Sequence, residues 1–303
     1  MDENDAIGKL RSLKRTSRLL SFIAVGCIAV GFISVTTSGG EGVFIFVLGM
    51  VFFVISALIE AKYKKIHAEY VLIPTLKRLF PDSSFELSVK DHSISKEFDR
   101  VGMLRKDSDE SITNFLTIKE NGHTLKEFSI TESHTETDSD GDSHTVYTFH
   151  GTQLHYDYAT GIDGIVRILS SHRGKVFKSE STFLPKNCKL TPDKIETGNA
   201  ELDESFEIYA STQHLGFYVL NPVVIEKLKT FRARYGDFGI AVTHDDLFIS
   251  FKGTDRFIKL PSKPEDINDS IYEKAKSEIY EIINMLNDMG YTLSKHVEKE
   301  NIF

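Results

Sequence analysis

The chain begins with two long apolar runs that are separated by a short glycine-rich link. Residues 19–40 carry no charged side chain, and neither do residues 42–59. A bilayer core about 30 Å thick is crossed by about 20 helical residues. The link at residues 38–42 is long enough only for a tight turn. The pattern therefore predicts a transmembrane helical hairpin over residues 19–59, with spans at about 19–37 and 42–59.

After the second run, apolar residues recur first at helical spacing and then at strand spacing. Residues 60–82 keep a three- and four-residue rhythm, which predicts a helical stalk that Pro74 could kink. Residues 83–290 predict one α+β domain of mixed helices and antiparallel strands. Polar residues dominate at both ends. We expect a disordered cytoplasmic tail at 1–18 and a second tail at 291–303.

Alternating apolar residues place the strands of this domain. Residues 114–118 and 125–130 flank Asn121-Gly122, a dipeptide typical of a two-residue hairpin turn. Ile240 and Val242 are predicted to pair with residues 247–251 across a turn at residues 244–246. Further strands are predicted at residues 146–149, 154–158, 164–169 and 176–183. Residues 203–210 are expected to lead from a polar turn into another short strand.

Capping residues place the helices. Asn221 is a good N-cap and Pro222 suits the first helical position, so a helix is predicted from there to Gly236. Ser211 is expected to cap a short helix that ends at Leu220. Two further helices are predicted at residues 96–104 and 264–289, the second ended by Gly290.

Charge divides the chain near Lys65. The chain has eight Lys and Arg against five Asp and Glu up to that residue, and 28 against 39 beyond it. Basic residues flank both apolar runs, whereas the link carries only Glu41. Basic flanks remain on the cytoplasmic side of a membrane, so both termini and the large domain are expected in the cytoplasm. Phosphate contacts need clusters of Lys and Arg, so the acidic domain is not expected to bind nucleic acid.

The two cysteines, Cys27 and Cys188, provide no disulfide framework. Residues 24–27 approximate a lipoprotein cleavage box. Cleavage there would leave a mature chain that still begins with an apolar run, so a plain membrane span explains Cys27 better.

The order of features resembles a known family. The β-rich middle contains the aromatic-x-Gly step Phe149-His150-Gly151, and FEIYASTQHLGFYVLNPVVIEKLKTF and a β-hairpin follow. This arrangement resembles a family of bacterial membrane-anchored proteins known as domain-of-unknown-function family 3137. The likeness is concentrated in residues 206–251. It implies two spans and a cytoplasmic α+β domain, here at the bacterial inner membrane, and it brings no catalytic residues.

Residues 131–155 are rich in metal-ligand types: His134, His144, His150, His155, Asp138, Asp140 and Asp142. The calcium-loop spacing fails around Gly141. A two-residue turn at Asp140-Gly141 would pair residues whose numbers sum to 281, which places His134 and His144 on opposite faces. A three-residue turn would make the sum even and bring them together. The two-residue turn matches the apolar residues better, so a solvated acidic hairpin tip is favoured over a metal site.

Other catalytic signals are weak. Ser93 and Lys96 match S-x-x-K without its companion motifs, and the sequence lacks Walker, G-x-S-x-G and H-E-x-x-H patterns. No catalytic, cofactor or metal residue is therefore assigned.

Three hypotheses about function follow from the sequence. The first is a non-enzymatic module, held in the lipid bilayer by two spans, that binds an unknown protein or small-molecule ligand. The second is a membrane-tethered metal-assisted hydrolase, which His134, His144 and a carboxylate converging on one point would favour. The third is a subunit of a larger membrane complex whose hairpin docks through small residues, namely Gly26, Ala29, Gly31 and Ser34.

Overall fold

The computed structural model describes residues 3–38, 42–89, 93–104, 109–120, 122–171, 193–253 and 269–300. The chain divides into two compact units, which we call the helical unit (residues 1–81 and 258–276) and the sheet unit (residues 82–257 and 277–303). The described parts combine long apolar helices near the N-terminus with an antiparallel sheet and further helices. The α+β class predicted from the sequence is confirmed.

The helical unit is built on two long helices. Helix α1 covers Glu3–Ser38. Helix α2 covers Gly42–His67 and continues through a π-helical segment, Ala68–Leu72, into helix α3, Ile73–Leu79. Of the described residues, two helical stretches, Asp5–Thr37 and Gly42–Leu79, are long and apolar enough to cross a membrane. Residues 39–41 of the predicted turn lie outside the described residues.

Helices α1 and α2 pack along a seam of residues spaced by seven. Every seventh residue of each helix is buried, and the two sets are Leu10, Ser17, Ala24 and Gly31 on α1 and Gly42, Gly49, Ser56 and Tyr63 on α2. The hydroxyl oxygens of Ser17 and Ser56 lie 3.1 Å apart. A Cβ atom added to Gly49 would lie 3.0 Å from the carbonyl oxygen of Ala24. Small residues at this spacing let membrane helices approach closely and hold the antiparallel pair together.

The seam continues beyond the apolar runs. Helix α1 begins at Glu3, inside the segment for which the sequence predicted a disordered tail. Ala6 and Leu10 are fully buried there. Hydropathy does not indicate this part of the helix, because its polar residues outnumber the few apolar ones that repeat along the seam.

The small residues considered for docking divide between the seam and the exposed surface. Gly31 is buried in the seam, and a Cβ atom added to Gly42 would lie 2.6 Å from the Cβ of Ser34. Gly26 and Ala29 are exposed. The four residues therefore do not form one docking stripe.

Pro74 lies two residues after the end of an irregular, π-helical segment. A proline has no N–H, and its ring clashes with the carbonyl group four residues earlier, here that of Tyr70. Tyr70 belongs to the π-helical segment Ala68–Leu72, where hydrogen bonds skip one residue further than in an α-helix. The π-helical segment lets the helix continue through Pro74 to Leu79.

The sheet unit contains nine described strands. They are β1 (Ser83–Val89), β2 (Asp109–Glu120), β3 (His123–Thr137), β4 (Ser143–Asp157), β5 (Val166–Ser170), β6 (Asp193–Ile195), β7 (Phe206–Ala210), β8 (Phe238–Val242) and β9 (Asp246–Lys252). They form one sheet in the order β1-β2-β3-β4-β9-β8-β5-β7-β6, and the pairings are antiparallel. The strand predicted at residues 176–183 lies outside the described residues.

Four described helices belong wholly to the sheet unit: α4 (Ser93–Arg100), α5 (Ala200–Ser205), α6 (Gln213–Val219) and α7 (Pro222–Tyr235). A fifth, α8 (Asp269–Glu300), belongs to the sheet unit from residue 277 onward. Phe98 of α4 packs edge-on against Phe248 of β9, with ring centroids 5.1 Å apart. Phe231 of α7 packs on Phe251 of the same strand at 5.3 Å. Residues three apart on a strand point to opposite faces, so α4 covers one face of the sheet and α7 the other.

The turn and cap predictions are confirmed at four places. Glu120 pairs with His123 across the predicted Asn121-Gly122 turn. Ile240 pairs with Ile249. The Asn221 side chain accepts hydrogen bonds from two backbone N–H groups at the start of α7, and Gly236 ends that helix.

Three helices have boundaries that differ from the predictions. Thr212, not Ser211, caps α6, because its side chain accepts from the Leu215 N–H. Helix α4 begins at Ser93 and ends at Arg100, earlier than predicted at both ends. Helix α8 continues through Gly290 to Glu300, so the predicted stop and tail are wrong. One glycine costs a helix only about 1 kcal/mol relative to alanine, which favourable neighbouring turns can offset.

The β3–β4 hairpin combines both registers considered from the sequence. In the part of the hairpin far from the loop, from Leu125↔Tyr156 to Glu132↔Phe149, the numbers of paired residues sum to 281. Near the loop, from Ser133↔Tyr147 to Thr137↔Ser143, they sum to 280. A β-bulge separates the two stretches. The predicted two-residue turn is wrong, because the loop closes between Asp138 and Asp142 and Gly141 has a φ of 89°. The bulge leaves Phe149 in the core but places Tyr147 in solvent.

Candidate functional site

Helices α7 and α8 run antiparallel and are joined by two ion pairs. The Lys227 ammonium lies 2.6 Å from the Asp288 carboxylate, and the Arg234 guanidinium pairs with Glu281. The two members on each helix are seven residues apart, about 10 Å along the axis. The helices therefore meet at a fixed register.

A groove of about 720 Å³ lies along this helix pair. Its apolar lining comes from residues on both helices: Val223, Phe231, Tyr235, Ile282 and Met285. Phe231 and Ile282 are buried beneath it, whereas Val223 is 51% exposed. Thr230 and Asn284 add uncharged polar groups to the lining. The volume is within the range of small-molecule sites, about 300–1,000 Å³.

Tyr235 remains a neutral phenol in this groove. The pKa of Tyr235 is raised to about 12, mainly by burial; the nearby Arg234 charge lowers it, and Glu281 and Glu278 contribute smaller upward shifts. The phenol ring also packs on Phe231, with centroids 4.7 Å apart. Tyr235 therefore offers an aromatic surface with an uncharged hydroxyl.

The electrostatics of the groove favour a ligand that is mostly apolar. Its two cations, Lys227 and Arg234, already face carboxylates on α8. Little positive charge remains for a strongly anionic ligand. The groove matches a small apolar molecule with one or two hydrogen-bonding groups.

The histidine-rich tip differs from its prediction. His134 and His144 share a face with Glu136, because the register near the loop has the even sum. The Nε2 atom of His134 lies 2.6 Å from Oε1 of Glu136, and Nε2 of His144 lies 3.9 Å from Oε2. The prediction that the two histidines point to opposite faces is wrong.

The tip nevertheless lacks the geometry of a metal site. The short His134–Glu136 distance is that of a hydrogen bond, whose proton occupies the nitrogen that a metal would need. His144 approaches the other oxygen of the carboxylate, so the two rings do not converge on one open point. Among the described residues, no group of three or more His, Cys, Asp or Glu is arranged to hold a metal ion. The expectation of no metal stays a prediction.

The remaining residues of the stretch have separate structural roles. Asp138 accepts hydrogen bonds from the backbone N–H groups of Asp140 and Asp142 and so closes the loop. His150 bonds the Thr131 hydroxyl. His155 is buried in the body of the sheet, where its Nε2 atom lies 2.7 Å from Asp246.

Sequence reasoning missed the groove although its signal was present. Lys227 and Arg234 are seven residues apart, and so are Glu281 and Asp288. Opposite charges at matching spacing on two helices are compatible with packing side by side, in either direction. The sequence could not show that Val223 would be exposed and Met285 only partly buried in the described structure.

These features define a class: an α+β protein with two candidate membrane helices and a helix-lined groove. Residues 147–294 match the model of a family described as protein of unknown function (DUF3137). The match contains every residue of the groove. The resemblance inferred from residues 206–251 is confirmed, and the matched segment extends beyond it on both sides.

Comparison with solved structures finds one distant likeness. The crystal structure of the mycobacterial trehalose monomycolate transport factor A, TtfA, has 7% sequence identity and a TM-score of 0.40. The alignment covers 72% of this chain and 94% of that one. No curated protein matches the chain.

Proposed function

We propose that the protein is a membrane-anchored, non-enzymatic binding module. Helices α1 and α2 anchor it in the bilayer, and the sheet unit binds a small, largely apolar ligand in the α7–α8 groove. The groove carries the proposal, because an uncovered cavity of about 720 Å³ with an apolar lining is the property expected of a ligand site.

The anchoring half is supported by the surface of the helical unit. Large apolar side chains point outward along both long helices, with Phe22 78%, Phe44 75% and Leu58 66% exposed. Water disfavours so much exposed apolar area, whereas the acyl chains of a bilayer accommodate it.

The orientation follows from the basic flanks. Eight Lys and Arg lie before the first run or just after the second, and none lies between the runs. The positive-inside rule then places both termini and the sheet unit in the cytoplasm of a bacterium, at its inner membrane.

The ligand is tested by blocking the groove. Met285→Trp puts a large ring into it, and Phe217→Trp adds the same ring to an exposed residue of α6 as a control. We expect mass spectrometry of molecules released from the purified full-length protein in nanodiscs to find an apolar compound with wild type and Phe217→Trp. Its occupancy should be at least about tenfold lower with Met285→Trp, corresponding to about 1.4 kcal/mol of binding.

The same experiment separates the alternatives. An apolar compound retained equally by Met285→Trp would contradict the groove as its site. A stoichiometric protein in place of a small molecule would favour the larger-complex hypothesis. Release of no compound from any variant would remove the support for a small-molecule ligand.

A further inference from the structure

A second pocket lies where α1 changes from charged to apolar residues. Its volume is about 490 Å³. Helix α1 contributes Lys14, Ser17, Arg18, Ser21, Phe22 and Val25, and α2 contributes Glu60. Arg18 is the last charged residue before the first apolar run. In a membrane, the pocket would therefore lie at the boundary between headgroups and acyl chains.

The two cationic side chains of the pocket differ in whether a carboxylate lies close to them. The Lys14 ammonium lies 2.9 Å from the Glu60 carboxylate and 5.1 Å from the centre of the Tyr63 ring. Its charge is compensated within the protein. Arg18, by contrast, has no carboxylate within ion-pair distance in the part of the chain that the structure describes. The pocket therefore has one uncompensated positive group, which suits a phosphate with two parallel hydrogen bonds.

The hydroxyl groups of the pocket offer acceptors. The Ser56 hydroxyl donates to the backbone carbonyl of Ser17 at 3.0 Å, and its oxygen lies 2.7 Å from the Ser21 hydroxyl oxygen. Each serine oxygen has two lone pairs. Ser21 keeps acceptor capacity toward the pocket, which suits a headgroup that carries hydroxyl groups.

The other end of the pocket is apolar. Phe22 and Val25 are 78% and 63% exposed and lie one and two turns after Arg18 on the same side of α1. Polarity along this line of residues thus falls from a cation through hydroxyls to hydrocarbon. A phospholipid has the same order of groups from its headgroup to its acyl chains.

We propose that this pocket binds one anionic phospholipid with a hydroxylated headgroup, of the phosphatidylglycerol type. Arg18 holds the phosphodiester, Ser21 accepts from a headgroup hydroxyl, and an acyl chain lies along Phe22 and Val25. Basic pockets on the cytoplasmic side of transmembrane helices recognise anionic headgroups in this way. The proposal rests on the anchoring half of the proposed function and is independent of the groove.

The test counts lipids on the full-length protein. Protein reconstituted with equimolar phosphatidylglycerol and phosphatidylcholine is extracted in mild detergent and weighed by native mass spectrometry. We expect wild type to retain phosphatidylglycerol, and Arg18→Ala to retain about tenfold less, as for the loss of a charged hydrogen-bonded contact. Arg15→Ala, which removes an exposed neighbouring charge outside the pocket, should behave as wild type.

Three results would overturn the lipid site. Equal losses in Arg18→Ala and Arg15→Ala would mean general charge attraction. Equal retention of both lipids by wild type would mean no headgroup recognition. Displacement of the lipid by soluble glycerol phosphate at comparable concentration would mean a phosphate site without a lipid requirement. Failure of the protein to enter vesicles at all would instead refute the membrane anchor.

Discussion

Gly151→Ala is expected to destabilise the sheet unit by about 3 kcal/mol, the upper end for overpacking in a core. Gly151 lies between Ile130 of β3 and Lys252 of β9. An added Cβ would overlap the carbonyl oxygen of Phe251 and lie 2.9 Å from the Cζ atom of Phe149. The carbonyl group cannot move away without disturbing the strand pairing. Urea-induced unfolding of the full-length protein, followed by tyrosine fluorescence, measures the loss.

Thr145→Ala is the matched control, because Thr145 is exposed on the same strand. It should change the free energy of unfolding by less than about 0.5 kcal/mol. Unfolding of Gly151→Ala at the same urea concentration as Thr145→Ala would contradict the close approach of β4 and β9 at Gly151. The contact also gives the aromatic-x-Gly step a structural reason, since the Phe149 ring lies over the glycine.

Gly49→Leu is expected to separate the two long helices. A Cβ atom there would lie 2.8 Å from Cγ1 of Ile28 and 3.0 Å from the Ala24 carbonyl oxygen. A leucine side chain at this point forces the seam open, and the close packing that small residues give two membrane helices is then lost. Disulfide formation between Ser17→Cys and Ser56→Cys, in a Cys27→Ala background, should fall by about tenfold.

Gly26→Leu controls for the added bulk. Gly26 is exposed on α1, and an added Cβ would meet nothing within 4 Å. The cross-link should form in this variant as in the parent. Equal cross-linking in Gly49→Leu and Gly26→Leu would contradict the seam.

Local sequence signals were sufficient to predict those helix ends and turns whose structure depends on neighbouring residues. The Asn221-Pro222 start and the Gly236 end of α7 follow from capping chemistry. The Asn121-Gly122 dipeptide likewise predicted the pairing of Glu120 with His123. In each case, the residues that decide the structure lie within a few positions of each other.

The change of register within the β3–β4 hairpin depends on long-range packing and could not be predicted from the sequence. The β-bulge after Glu132 keeps Phe128, Ile130 and Phe149 in one core although the loop has the other register. No local pattern indicates this compromise, and so the faces of His134 and His144 were predicted wrongly.

The helix pairings depended on distant residues as well. The seam of α1 and α2 contains glycines and serines at a spacing of seven residues. A hydropathy profile does not show such a seam, because these small residues differ little in hydropathy from many others. The groove exists because two ion pairs fix α7 and α8 at a register that leaves Met285 only half-buried. Both features are present in the residue spacing, but only the paired helices show which faces meet.

Measuring the membrane topology is the most direct test of the proposal that two helices anchor a cytoplasmic binding module. In a background without Cys27 and Cys188, single cysteines are placed at Glu41, in the link between the runs, and at Tyr147, which is 73% exposed on the sheet unit. Bacterial spheroplasts are then treated with a membrane-impermeant maleimide before and after permeabilisation. We predict that Glu41→Cys is labelled in intact spheroplasts and that Tyr147→Cys is labelled only after permeabilisation. Labelling of Tyr147→Cys in intact spheroplasts, or recovery of the protein without a membrane, would contradict an anchored cytoplasmic binding module.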